Sequence, residues 1–342
     1  MRIYRSYRLL AAEARGAVAA IGNFDGLHLG HRVVIDAAKR IATEQRAPSA
    51  VLTFEPHPRM VFRPDDPQFR LTPFREKATL LAEMGLDLML VPHFDRSFSA
   101  ITAEGFVRDV LVEGLGLKHV VCGADFVFGK GRGGDVAQLT KLAPALGLGV
   151  SIIDPVGDGE TVYSSTNIRQ LLQAGDPRGA ARLMGRPYEI IGKVQRGDQV
   201  GRKLGFPTAN VDHSDYLAPA TGVYAVRAAL ADEGTHAARR WIDGVANFGR
   251  RPTVGGLKLL LEVHLFDFSG DLYGHRLRVR FIEYLRPEQK FDSLDALKAQ
   301  IAADARHARR ITGAPRPTLD QEAADETGDE TDAPLESLKA TS

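Results

Sequence analysis

Apolar and polar positions follow two regimes along this chain. Up to about residue 185, short continuous apolar runs alternate with segments whose apolar residues recur every three or four positions. Residues 17–24, 49–54, 86–91, 118–123 and 149–154 are runs of the first kind and predict buried strands. Residues 31–45 carry Val34, Ile35, Ala38 and Ile41 at helical spacing, and 77–84, 102–115 and 136–146 also read as helices. Thr102 stands where an N-cap is expected, with Glu104 in the first turn. Strands separated by helices of this length predict an α/β layer with a doubly wound parallel sheet, which takes ligands at the carboxyl ends of its strands.

Beyond Arg186 the pattern becomes β-rich. Residues 188–194, 222–230, 241–248, 258–266 and 277–285 are short strands divided by turn residues such as Gly255-Gly256 and Ser269-Gly270-Asp271. That spacing predicts an all-β antiparallel sandwich or barrel. A closing helix is expected over 293–311, with Leu294, Leu297, Ile301 and Ala305 on one face. The halves show no internal repeat. The expected division is 1–185, 186–313 and a tail over 314–342.

Composition changes this picture at three points. A length of 342 residues with 44% hydrophobic content suits two globular domains. Cys122 is the only cysteine, so no intrachain disulfide forms and a reducing, cytoplasmic setting is expected. No apolar run reaches the roughly 20 residues of a membrane helix, and Glu13 and Arg15 interrupt the apolar start, which argues against a secretion signal. The formal charge of +1 hides a division. Residues 314–342 hold eight carboxylates against Arg316 and Lys339, a net of −6, so the body carries +7. The tail has too few large apolar residues to order itself, and reads as a disordered solubilising extension or an interaction segment. Lys193, Arg196, Arg202 and Lys203 fall in a glycine-rich stretch and Arg169 beside a run of hydroxyls, which speaks for small phosphorylated ligands and against nucleic acid.

The first loop is Gly22-Asn23-Phe24-Asp25-Gly26-Leu27-His28-Leu29-Gly30-His31. Gly26 and Gly30 permit a tight turn and close backbone approach. The helix expected near His31 offers free N–H groups to phosphate, and His28 and His31 are placed to donate to a phosphoanhydride as it breaks. Ser164-Ser165-Thr166-Asn167-Ile168-Arg169 precedes a helix start at Gln170, as a second phosphate clamp or as plain N-capping. The second glycine-rich stretch is 192–210. It holds Gly192, Lys193, Arg196, Gly197, Arg202, Lys203, Gly205, Phe206 and Pro207, and ends on Thr208-Ala209-Asn210. Thr208 and Asn210 share one face of an extended segment and supply neutral oxygens, which suit Mg2+ on nucleotide phosphates. Glu262 sits inside an apolar strand, where a carboxylate is costly unless paired or functional.

Together these segments resemble a known family. NFDGLHLGH, TFEPHP (residues 53–58), CGADFVFGKGRGGD (122–135) and SSTNIR are similar to the FMN adenylyltransferase module of prokaryotic FAD synthetases. The 192–210 stretch resembles the GxxxGxxLGFPTAN signature of riboflavin kinases, and 244–253 their second motif, with Arg250 where Thr is usual. The resemblance covers roughly residues 15–312. It implies a Rossmann-like nucleotidyltransferase domain followed by a riboflavin kinase barrel, a bifunctional enzyme that makes FMN and then FAD from ATP, with Mg2+.

By this resemblance His28, His31 and Arg169 act on ATP phosphates, with Ser164, Ser165 and Thr166. Gly22, Asn23, Phe24, Asp25, Gly26 and Gly30 shape the nucleotide loop. Phe54, Pro56, His57, Pro58, Phe62, Asp125 and Phe126 form the flavin side, where flat apolar surfaces suit an isoalloxazine ring. Glu262 is the general base on the riboflavin 5′-hydroxyl, while His264 is taken as structural and Cys122 as a packed thiol. The alternatives are an enzyme with one activity only and a catalytically dead flavin-binding regulator. Self-association is left open.

Overall fold

The computed structural model describes residues 1–8, 10–159, 161–196, 201, 205–231, 240–253 and 256–313, with backbone alone at 251–253 and 256–258. The expected disordered tail over 314–342, Gly197, Arg202 and Lys203 lie outside the described residues.

The first half is a parallel six-stranded sheet. Its strands are β1 (Arg2–Tyr4), β2 (Val18–Ile21), β3 (Ser49–Leu52), β4 (Leu88–Leu90), β5 (His119–Gly123) and β6 (Gly149–Ile153), in spatial order β1-β4-β3-β2-β5-β6. Strands β2 and β3 are fully buried, which explains their continuous apolar runs. Two apolar cores flank the sheet. Val18, Ala20, Val51 and Met89 face α1 (Leu29–Glu44) and α3 (Phe74–Glu83), which follows α2 (Pro58–Phe62). Ala19, Ile21, Leu52 and Val120 face the opposite layer. That layer contains α4 (Arg96–Ser99), α5 (Ala103–Gly105) and α6 (Val136–Leu142).

Three local departures have physical causes. The helix expected over 102–115 starts as α5, with Thr102 accepting from the Gly105 N–H at 3.1 Å, then widens into a π-helix over Phe106–Gly114. Arg15 donates to the terminal Glu113 and Gly114 carbonyls, both at 2.9 Å. The first strand does not run to Phe24. It stops at Ile21, because Phe24, Gly26 and Leu27 take positive φ of 49°, 87° and 44°. Strand β1, of three residues, was too short to show any period.

Two helices join the halves. In α7 (Ser165–Gln173), Ser164 is the N-cap and accepts from the Asn167 N–H at 3.1 Å, so the helix starts five residues before the expected Gln170. The next helix, α8 (Pro177–Met184), is capped by Asp176 and ends on Gly185 in the left-handed region. The second half is a closed barrel in the order β10-β11-β8-β7-β12-β9. Its strands are β7 (Tyr188–Gln195), β8 (Ala209–Val211), β9 (Gly222–Leu230), β10 (Ile242–Thr253), β11 (Gly256–Leu265) and β12 (Arg276–Arg286). Closure removes the sheet edges. Tyr188, Tyr224, Phe248, Leu261 and Phe281 fill the interior, and that core continues through Ile168, Leu172 and Leu183 into α7 and α8.

The closing helix, α9 (Leu294–Gly313), packs on the outside of the barrel through Ala308 against Val223, Ala225, Val245 and Phe266. Its buried face overlaps the expected one, with Ala305 packed on this cluster and Leu297 and Ile301 half-buried, and departs from it at its start. Leu294 is exposed, while Asp304, Ala308 and Thr312 are buried. Arg286 holds the Asp304 carboxylate through Nε at 3.0 Å and Nη2 at 2.7 Å, and the Thr312 hydroxyl donates to the Ala308 carbonyl. Paired polar groups therefore extend a buried face that apolar periodicity marked only in part.

Candidate functional sites

A cavity of about 920 Å³ opens at the carboxyl ends of β2, β5 and β6, where Gly22, Asn23, Gly123 and Asp154 line it. The N-termini of α1 and α7 converge there, so two sets of free N–H groups face one space. Gly30 makes the approach possible, since a Cβ at this position would lie 3.1 Å from the Tyr163 carbonyl oxygen and 3.2 Å from His28 Nδ1.

His28 is the N-cap of α1. Its Nδ1 accepts from the His31 N–H at 3.3 Å, which assigns the proton to Nε2. The two imidazoles stack with centroids 3.6 Å apart. Burial pushes His28 down to about 4 and His31 well below the usual histidine range. Near neutral pH both rings are therefore uncharged donors.

Asp25 ties the two sequence motifs together from behind. Its carboxylate accepts from the Leu71 and Thr72 N–H groups at 3.0 Å and from Arg169 Nη2 at 2.6 Å. The Ser165 hydroxyl donates to the Asp25 carbonyl at 2.8 Å. Arg169 Nε donates to the Phe69 carbonyl at 2.9 Å. Arg169 thus lies behind the loop and is not part of the cavity wall, whereas Ser164, Ser165 and Thr166 are.

The far wall is aromatic. Phe54, Phe62 and Phe126 line it as expected, with Pro58 and Asp125. Phe126 and Phe128 stack at 5.5 Å, and Phe62 meets Phe94 edge-on at 5.9 Å. Phe62 is the most exposed phenylalanine of this wall, at 60%. Pro56 and His57 do not reach the cavity. His57 Nδ1 instead caps α2 by accepting from the Arg59 N–H at 3.1 Å, and burial pushes His57 down to about 4. Cys122 is fully buried, and burial pushes its thiol up to about 12, which suits packing and not nucleophilic chemistry.

Several site residues were missed in the sequence. Lys77, buried beneath the loop, donates to the Asn23 carbonyl at 2.6 Å. Phe94, Phe98 and Phe106 complete the aromatic wall. They lie within one stretch that carries no recognised motif, so only folding shows that they face the cavity.

The second site forms on the outer face of the barrel. The register pairs Gln195 with Asn210, Asn210 with Glu262, and Glu262 with Asn247. Directly opposed residues share a face, so Asn210 and Glu262 of the predicted site stand in one row with Gln195 and Asn247. Their neighbours Ala209, Leu261 and Val263 are buried in the barrel interior. His264 Nδ1 lies 2.8 Å from the Pro207 carbonyl oxygen, and its ring meets Phe206 edge-on at 5.5 Å. His264 therefore ties β11 to the Phe206-Pro207 segment that leads into Thr208. Gly205 turns the chain at φ 87°. Gly192 allows a tight crossing, since a Cβ there would lie 1.8 Å from the Asp212 carbonyl oxygen. Lys193 is exposed on β7, beside that crossing.

Mg2+ is the metal that the resemblance implies. The donors available are Thr208 and Asn210, both neutral oxygen ligands. Among the described residues no group of three or more His, Cys, Asp or Glu is arranged to hold a metal. This set fits a hard cation carried in largely by phosphate oxygens.

Residues 10–167 match the FAD synthetase family and residues 184–312 the riboflavin kinase family. The chain is 42% identical to the bifunctional riboflavin kinase/FMN adenylyltransferase of Escherichia coli (strain K12), over 93% of this chain and 100% of that one. It is 44% identical to the protein of the same name from Pseudomonas fluorescens, over 91% and 98%. A crystal structure described as a macrolide-efflux protein from Streptococcus pneumoniae superposes with a TM-score of 0.78 at 29% identity, covering 90% of this chain and 98% of that one. Among the described residues no helix is long and apolar enough to cross a membrane.

Proposed function

The chain belongs to the bifunctional riboflavin kinase/FMN adenylyltransferase family, and we propose how its residues divide the two reactions. It phosphorylates riboflavin to FMN and adenylylates FMN to FAD. Neither the single-activity reading nor the dead-regulator reading has support, since both family matches are present.

In adenylylation, an FMN phosphate oxygen attacks the α-phosphorus of ATP. The new P–O bond forms as the α–β anhydride breaks, and pyrophosphate leaves. His28 Nε2–H and His31 donate to the triphosphate as its charge shifts toward the leaving group. The α1 and α7 N-termini, with Ser164 and Thr166, hold the remaining oxygens. Gly22, Asn23 and Phe24 shape the loop, and Asp25 and Arg169 brace it from behind. The isoalloxazine rests against Phe62, Phe126 and Pro58. The observation that carries this reading is the cavity itself, where two helix N-termini and a stacked histidine pair face an aromatic wall.

In the kinase reaction, Glu262 takes the proton from the riboflavin 5′-hydroxyl as that oxygen attacks the γ-phosphorus, and ADP leaves. Asn210 and Thr208 would hold Mg2+, which when bound would supply positive charge to offset that on the phosphates. Gly192, Lys193, Gly205, Phe206 and Pro207 line the ATP side, with Gly197 in the same stretch. We also propose domain limits of 1–185 and 186–313, a solubilising role for 314–342, a cytoplasmic location, and no nucleic-acid partner.

Chromatography of riboflavin, ATP and Mg2+ incubated with the protein tests both reactions at once. Glu262→Gln is expected to slow FMN formation by about 10²–10⁴-fold, the usual worth of a general base, with FMN-to-FAD conversion retained. His28→Ala is expected to do the reverse. A kinase rate unchanged in Glu262→Gln would remove the base assignment.

A further inference from the structure

One side chain from the barrel half reaches into the nucleotide loop. Arg186 follows α8 and precedes β7. Its Nη2 donates to the Gly26 carbonyl at 2.8 Å and its Nη1 to the Leu27 carbonyl at 3.2 Å. These two carbonyls immediately precede His28. The turn that carries them is under conformational load, with the non-glycine residues Phe24 and Leu27 at positive φ on either side of Gly26. Such backbone persists only where its surroundings hold it. Leu27 is 2% exposed, so it has no solvent to relax into.

Arg186 is itself held. Its charge is attracted by Glu189 on β7, whose carboxylate pairs with Arg278 at 2.7 Å and Arg280 at 3.1 Å. The preceding residue makes a second contact with the loop. Gly185 sits at φ 68°, and a Cβ there would lie 2.7 Å from Leu29 Cδ2. The junction therefore grips the chain on both sides of His28, by the carbonyls before it and the side chain after it. Arg186 does not line the cavity and touches no reacting atom.

We infer that Arg186 is a positioning residue for FAD formation, fixing the Gly26–His28 turn so that the adenylylation site depends on a residue rooted in the kinase barrel. The inference rests on the proposed role of His28. A fork with two donors suits two adjacent carbonyls, and the single ammonium of a lysine does not span both.

The test uses the full chain, with FMN formation and FAD formation measured in the same preparations. Arg186→Ala is expected to lower kcat for FAD formation by about 10²-fold, the scale of a small misplacement, while KM for FMN and the kinase rate stay within about threefold. Added guanidinium is expected to restore part of the FAD rate in Arg186→Ala, and Arg186→Lys to recover less than wild type. An unchanged FAD rate overturns the inference. So does parallel loss of both activities with a lower Tm and no rescue, which would make Arg186 a general stabiliser. His28→Ala run alongside separates the two claims, since a full FAD rate there removes the role of His28 without bearing on how Arg186 holds the turn.

Discussion

Asp25→Ala removes one buried carboxylate that satisfies three donors. Leu71 and Thr72 lose acceptors for their N–H groups, and the Arg169 guanidinium loses its partner at 2.6 Å. Asp25 is only 2% exposed, so water cannot replace what is lost. Each unsatisfied buried donor costs about 1–3 kcal/mol, and breaking a buried ion pair from one side costs about 3–5 kcal/mol. These overlap, because the same carboxylate serves all three donors, so the expected loss is about 4 kcal/mol. For a unit of this size each kcal/mol moves Tm by roughly 2–4 °C, which gives a fall of about 8–16 °C. Scanning calorimetry reads the shift, and FAD formation below the new transition reads the site. The adenylylation rate should fall even where the protein is folded, because Arg169 no longer meets the loop, while the Ser165 hydroxyl keeps its bond to the residue-25 carbonyl. Asp25→Asn keeps one acceptor oxygen and should lose less. A Tm within about 2 °C of wild type would refute the argument that this carboxylate organises the site.

Further outcomes follow from other contacts. His28 and His57 are held near 4 in the folded chain against 6.5 when exposed. The unfolded chain therefore binds the extra protons, and the stability due to these neutral rings is complete above pH 6.5 and is lost as pH falls toward 4. Urea unfolding should show a slope approaching about 1.4 kcal/mol per pH unit for each histidine in that window, and His57→Ala should flatten it. His264→Ala removes the anchor to the Pro207 carbonyl. It should raise the kinase KM for ATP by about 3–10-fold, the worth of one hydrogen bond, with FAD formation unchanged.

The sequence by itself determined the two architectures and the order in which they occur. Buried parallel strands must be continuously apolar, and barrel strands must alternate around turn residues, so both patterns are local and readable. It also marked His28, His31, Ser164–Thr166, Thr208, Asn210 and Glu262, because their chemistry is conspicuous at fixed spacing. Only the tertiary structure decided what stands behind them. Asp25 and Arg169 meet across 144 positions, and Lys77 reaches the Asn23 carbonyl across 54. Pro56 and His57 turn away from the cavity, while Phe94, Phe98 and Phe106 enter it. The buried face of α9 includes Asp304, whose partner Arg286 lies 18 positions away, beside the apolar Ala305 and Ala308. Each buried polar group needs a partner, chosen by where the chain folds, and each aromatic finds its wall in the same way, so no local pattern carries either.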